Sequence, residues 1–458
     1  MFGFVHSLLE MQSEHKRSLN QKKFLLIMIG LIVTSIIDIS IVKINDLIDK
    51  YFIPLNGRLI LFTINSSLCL LLQFFIVRYI DTSFQTDRLR KTLKVKAIYA
   101  VSLLSLNVLA GLIGFLIFQQ FYNNYYDTSI VVAIIALSYG TAAGFVIWLS
   151  VLFFSWYKSR HDMIVLLYFI SMSVIAFNLI MTGAFISVKV NDRPQLAGEY
   201  VGSSGDLTAG RHQLLDNIYR GSSFVSFFSI WITTAILMNY YREKLISAIV
   251  YWVILSIPLV YFILTYFYQF ILGSILGSFL EIDPVSVSII LGAFLALSKP
   301  IGGLLFGVAF WSISRIIGYE KNIKTYMIIS GWGILLIFSS NQAATQIVSP
   351  YPPFGLVTIT ILVTASYLML LGIYNSATLV SANNELRRTI HKHALESKLL
   401  GAIGHAEMEK EIQKTVKQVT RYKFELEKEL EEPVELDESE LEKYLKLVLG
   451  EVRKGSKL

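Results

Sequence analysis

Apolar residues in this chain come in long unbroken runs, with neither the one-sided stripe of a surface helix nor the alternation of a half-buried strand. A hydrocarbon core about 30 Å thick needs about 20 apolar residues at 1.5 Å rise, and lipid offers the backbone no hydrogen-bond partners, so such runs read as membrane-spanning helices. The pattern predicts ten, at 24–44, 59–80, 97–118, 130–156, 163–188, 222–241, 245–270, 285–317, 325–341 and 354–380. The fold class is therefore an all-α, polytopic integral membrane helical bundle of about ten transmembrane helices, with a segment 1–23 before it and a helical tail 381–458 after it. The eighth run is long for one pass, since its length as a helix would reach about 50 Å. It is interrupted at Ser298-Lys299-Pro300-Ile301-Gly302-Gly303, where proline removes a backbone donor. It is read as one element broken at 299–303, with 285–298 as a half-helix or re-entrant piece.

Charge orients the runs. Arg78, Arg88, Arg90, Lys91, Lys94 and Lys96 crowd one loop; alternate loops carry Lys158 and Arg160, then Arg242 and Lys244, then Arg315, Lys321 and Lys324. The opposite loops 119–129, 271–284 and 342–353 hold no Lys or Arg. Lys50 and Arg58 in 45–58, and the longer 189–221 loop, depart in part from the alternation. By the positive-inside rule the basic loops and both termini are expected in the cytoplasm, which requires an even number of crossings. Residues 1–14 do not resemble a cleavable signal, because the basic cluster Lys16, Arg17, Lys22 and Lys23 follows them. Phe2, Phe4, Val5, Leu8 and Leu9 suit a short helix lying on the inner interface.

Composition agrees with a bilayer as solvent: 54% of the 458 residues are hydrophobic, 16% are charged and the mean hydropathy is +0.58. The single cysteine, Cys69, precludes a disulfide framework or a thiolate zinc site within one chain. The net charge of +7 arises from residues flanking apolar runs, where they act as topology signals and contacts for anionic lipid. The expected partner is therefore the lipid bilayer and not nucleic acid. No metalloprotease helix, phosphate-binding loop or catalytic triad order appears in a meaningful context, so the expectation is a protein that is not an enzyme and has no cofactor or metal.

Charges at bilayer depth are costly and mark candidate sites. Asp38 lies two thirds along the first run, and reads either as a group holding helices together or as an ion or proton site. Lys299 sits beside the helix break, with Glu281 and Asp283 shortly before it and on the same outer side. Broken helices with nearby charges recur in transporters, whereas a lysine capping a kink would be structural. Asn107 marks the faint counterpart of that break in the third run and completes the candidate intramembrane polar site of Asp38, Lys299, Glu281, Asp283 and Asn107. The other amides, Asn65, Gln73, Asn178, Asn341 and Asn375, are expected to bridge helices, and Gly140 to Gly144 and Gly303 to Gly307 read as close helix contacts. The series from Tyr251 and Trp252 to Tyr266 and Tyr268 suits an interfacial belt at the outer end.

Beyond Ala382 the composition changes. Leu386, Ile390, Leu395, Leu399, Ile403, Ala406, Ile412, Val416 and Val419 recur mostly every three or four residues, predicting a long amphipathic helix running straight off the tenth span. Gly401 and Gly404 mark a bend, and a last helix bears Leu441, Tyr444, Leu445, Val448 and Val452 on its apolar face. Residues 386–458 are thus expected to engage a cytoplasmic protein partner or to self-associate. His405 lacks the following Glu and Pro of a phosphoacceptor helix, and too little chain remains after it for an ATP-binding domain. Two function classes result. The first is a membrane sensor or signal-transducing scaffold acting through the tail. The alternative is a secondary transporter of a small solute with a site near the broken eighth span.

Overall fold

The computed structural model describes residues 22–40, 55–83, 92–123, 125–191, 213–239, 248–271, 297–316, 321–343, 352–383 and 398–430. These form eleven helices: α1 Lys22–Ser40, α2 Leu55–Ser83, α3 Leu93–Asn123, α4 Thr128–Arg160, α5 Met163–Asn191, α6 Gln213–Met238, α7 Ala248–Ile271, α8 Ser298–Ile316, α9 Lys321–Ala343, α10 Leu356–Ala382 and α11 Lys398–Leu430. No strand occurs among the described residues. The helices α1–α6, α9 and α10 are each long and apolar enough to cross a bilayer. In α7 the described apolar stretch is Ile249–Thr265, and α8 carries Lys299 and Arg315 near its two ends. The chain is a helical membrane bundle. The expected interfacial helix before Lys22, the outer loop within 192–212, the segment 285–296 with Glu281 and Asp283 before it, and the last amphipathic helix after 430 lie outside the described residues.

Helix boundaries follow local chemistry. Asp127 caps α4, its Oδ1 accepting from the Ser129 amide at 2.9 Å, and Asp162 does the same for Ile164 at the start of α5. Between α4 and α5 stand only His161 and Asp162. His161 adopts a left-handed φ of 52° and donates its amide to the Tyr157 carbonyl at 2.7 Å, closing α4 and reversing the chain. The pairings Ser150–Ser173 at 2.7 Å and Ser105–Thr141 at 3.3 Å hold antiparallel neighbours α4–α5 and α3–α4.

Lipid and protein faces divide clearly. Leu26, Ile64, Phe75, Leu104 and Val151 are exposed apolar side chains on the outer helices. Helix α10 is enclosed along most of its length: every residue from Leu356 to Ala377 is buried. It packs against α2, α3, α4, α9 and α11. The α9 contact is backbone to backbone: a Cβ at Gly333 would stand 2.6 Å from the Met369 amide and 2.8 Å from the Ala365 carbonyl, and one at Gly372 would meet Ser330 and Tyr326. Such approach is what small residues permit between membrane helices. Two of its buried serines are satisfied by their own helix, Ser366 donating to Leu362 O and Ser376 to Gly372 O, both at 2.8 Å.

The tail does not continue α10. Asn383 is extended (φ −116°, ψ 111°) and ends the helix, and α11 returns against α10, α4 and α5. The β-region backbone at Asn383 breaks the helical hydrogen-bond ladder, whereas the apolar period before and after it offers no such signal. The end of the bundle where α11 sits is called the tail end below, and the opposite one the far end.

Candidate functional site

Three polar features lie inside the bundle. At the far end, Asp38 of α1 is fully buried. Its Oδ1 accepts from the Gly355 amide at 3.0 Å, and its Oδ2 accepts from the Thr358 amide at 2.9 Å and the Thr358 hydroxyl at 2.7 Å. Gly355 is the residue before α10, at φ 91°, and offers no side chain to cap it. Asp38 therefore caps the central helix from another helix, placing a carboxylate where the first turn leaves amide donors and the positive end of the dipole. Below it, the Asn65 amide donates to the Thr34 carbonyl at 3.2 Å, and Gln73 donates to Thr360 and accepts from Thr364, both at 2.9 Å. These contacts fasten α1 to α2 and α2 to α10.

The second feature is Lys299, in the first turn of α8. Pro300 beside it also stands in that turn, where a missing amide donor removes no bond of the helix. Lys299 is 5% exposed, and among the described residues its Nζ has no hydrogen-bond acceptor; the same holds for the Ser298 hydroxyl. Its neighbour is the Tyr219 ring of α6, with the ammonium 5.6 Å from the centroid. A cation–π contact supplies about 0.5–2 kcal/mol, while withdrawing an ammonium from water costs several kcal/mol even after relaxation. The ring alone does not balance the charge. Tyr219 stacks on Phe185 of α5 at 4.6 Å and 3°, and Lys189 lies over Phe185 at 4.9 Å. One turn deeper, the Asn178 amide donates to Ser222 Oγ at 3.0 Å and its Oδ1 accepts from Asn341 at 2.9 Å. Tyr139 donates to Asn341 Oδ1 at 3.3 Å, so α4, α5, α6 and α9 share one buried polar network.

The third feature is the tail junction. Leu399, Leu400, Ala402, Ile403 and Ala406 of α11 are buried on the bundle, and a Cβ at Gly404 would run into Val380 of α10. Glu407 is also buried, and its Oε2 accepts from the Trp156 indole of α4 at 2.7 Å. Lys94 of α3 lies over the Tyr374 ring at 5.4 Å. From Trp156 a column of rings runs inward: Phe153 at 5.3 Å, then Tyr168 of α5 at 5.3 Å, then Phe310 of α8 at 6.0 Å. The Lys410 ammonium is held below the ordinary lysine range by burial, with Glu407 pulling it up and Lys94 pushing it down.

No protein-family model matches this chain, and neither a curated protein nor a solved structure matches it.

Of the residues singled out from sequence, Asp38 and Lys299 are both buried, but each meets its own partners, Asp38 on α10 and Lys299 on α6. Asn107 faces outward on α3 and donates to its own helix, to the Leu103 carbonyl at 2.9 Å. Glu281 and Asp283 lie outside the described residues. Among the described residues no group of three His, Cys, Asp or Glu side chains could hold a metal ion. Sequence reasoning missed Tyr219, Trp156 and Glu407. A carboxylate next to the apolar stripe of α11, beside Ile403 and Ala406, was the available signal for Glu407. Tyr219 had none, since its importance comes from Lys299, 80 residues later in the chain.

Proposed function

We propose that this protein is a membrane signal transducer in which the docked helix α11 reports the state of the bundle to the cytoplasm. The observation that carries the reading is the buried Trp156–Glu407 hydrogen bond at 2.7 Å, which seats the tail on the central helices. A carboxylate buried at a junction is costly unless it is bonded, so the docked arrangement depends on this partner and is a natural point of release. The ring column from Trp156 to Phe310 supports the reading because it joins the junction to α8, whose first turn bears Lys299 about 16 Å further along the helix. The basic loops at the tail end support a cytoplasmic position for α11.

Ala402, on the face of α11 buried against the bundle, gives the test: in Ala402→Cys protein, with Cys69 buried, maleimide labelling reads undocking. Trp156→Phe is expected to raise the labelling rate several-fold and to change the capture of a crosslinked partner or second copy through the tail. Equal labelling and equal capture in both proteins would refute the reading.

The alternative, a secondary transporter of a small solute with its site beside α8, draws on the Lys299 ammonium, which has no acceptor among the described residues. Solute flux in liposomes that Lys299→Met abolishes, with tail labelling unchanged, would favour it.

A further inference from the structure

We propose that Lys299 and the first turn of α8 form a binding site for an oxyanion, either a phosphate borne on an anionic lipid headgroup or a small soluble phosphate. Among the described residues, no group completes this position electrostatically. Lys299 Nζ and Ser298 Oγ are buried, at 5% and 1% exposure, and neither has a hydrogen-bond partner among the described residues. Both are donors at the start of a 19-residue helix, where the dipole adds partial positive charge. A second cation lies close by, as Lys189 stands over the Phe185 ring that stacks on Tyr219. On the exposed side of α6, Asp216 is paired with Arg220 at 2.8 Å.

Aromatic rings and an ammonium bind the tyrosine face and the cation to each other, but they supply no acceptor for the remaining N–H groups of Lys299. A phosphate supplies such acceptors through its non-bridging oxygens. Depth favours a ligand at the membrane interface. Tyr219 stands six residues after Gln213 at the start of α6, and Phe185 six residues before Asn191 at the end of α5, so the site lies roughly 9 Å below the far-end termini of both helices. Because α5, with its 29 residues, is about 43 Å long against a hydrocarbon core of about 30 Å, that level is close to the membrane interface. The proposal does not depend on tail docking, because the site is at the other end of the bundle and its ligand is identified by charge alone.

The test uses the full chain in nanodiscs of phosphatidylcholine, with or without phosphatidylglycerol, and separately with inorganic phosphate. Thermal unfolding and native mass spectrometry read stabilisation and retained lipid. The wild-type protein is expected to be stabilised by phosphatidylglycerol, or by phosphate, relative to phosphatidylcholine and chloride. Lys299→Met should lower retention at least about tenfold, and Lys299→Arg should keep most of it. Stabilisation by phosphatidylglycerol alone assigns a lipid headgroup, and by phosphate alone a soluble anion. The wild-type arm stands even if Lys299→Met fails to fold: if neither anion stabilises that protein, the proposal is overturned. It is also overturned if Lys299→Met retains phosphatidylglycerol and phosphate as wild type does. It fails as well if Glu281→Gln or Asp283→Asn reproduces the loss of stability without any anion effect, since the lysine would then be paired within the chain.

Discussion

Removing the Asp38 carboxylate tests how the central helix is held. In Asp38→Ala the amides of Gly355 and Thr358, bonded now at 3.0 and 2.9 Å, lose their acceptor in a fully buried site. Each orphaned buried donor costs about 1–3 kcal/mol. The Thr358 hydroxyl, at 2.7 Å, can turn to a backbone carbonyl and adds little. Against this stands the relief of no longer burying a carboxylate, which recovers part of its desolvation cost. The balance leaves Asp38→Ala destabilised by about 2–4 kcal/mol. Asp38→Asn keeps one acceptor and is a good capping residue, so its loss should be about 1–2 kcal/mol. Denaturant unfolding in micelles, followed by tryptophan fluorescence, gives both values. Asp38 does not hold α10 in this way if Asp38→Ala unfolds within about 0.5 kcal/mol of wild type, or if Asp38→Asn is the less stable of the two.

Three further outcomes follow from the same geometry. Gln73→Leu removes the bridge to Thr360 and Thr364, but Thr360 also donates to the Val357 carbonyl at 2.6 Å; the loss should therefore be only about 0.6 kcal/mol, the ordinary worth of one interhelical bond, in the same unfolding assay. Gly333→Ala forces a methyl against the Met369 amide and the Ala365 carbonyl. Backbone cannot yield as a side chain can, so a loss of about 1–3 kcal/mol is expected, whereas Gly140→Ala, with open space around it, should be neutral. At the tail, burial lowers the Lys410 pKa from 10.5. The docked state then binds fewer protons than the undocked one between the lowered value and 10.5, so docking should tighten as pH rises through that window. Maleimide labelling of Ala402→Cys, normalised at each pH to an exposed cysteine because the thiolate is the reacting species, should fall accordingly, and Lys410→Met should flatten the slope.

The helices were legible in sequence because lipid imposes length and apolarity: α1–α10 lie over the ten apolar runs, and eight of them, as described, are long and apolar enough to cross a bilayer. Their faces were not legible. Gly303 and Gly307 do meet α9, at Leu335 and Gly331, but Gly140 and Gly144 have nothing within 4 Å. The small-residue spacing is identical in the two pairs, and in a helix apolar all round it carries no direction. The same applies to the amides. Gln73, Asn178 and Asn341 bridge helices, while Asn107 bonds its own backbone on an exposed face. Asp38 and Lys299 stood out because charge in an apolar run is rare. Their partners, 317 residues away for Gly355 and 80 for Tyr219, are set by packing between helices distant in the chain. The tail was legible as an amphipathic helix, but its return onto α10 depends on the extended Asn383, which no local pattern announces.

The most direct test of the transducer reading is the distance between α11 and the bundle in a bilayer. Spin labels at Lys158→Cys, exposed near the end of α4, and Lys417→Cys, on the exposed part of α11, avoid buried Cys69. Pulsed EPR in nanodiscs should give one narrow distribution for this pair, broadening when Glu407→Gln weakens the Trp156 bond. A broad distribution without that substitution, or one that Glu407→Gln leaves unchanged, would contradict the account.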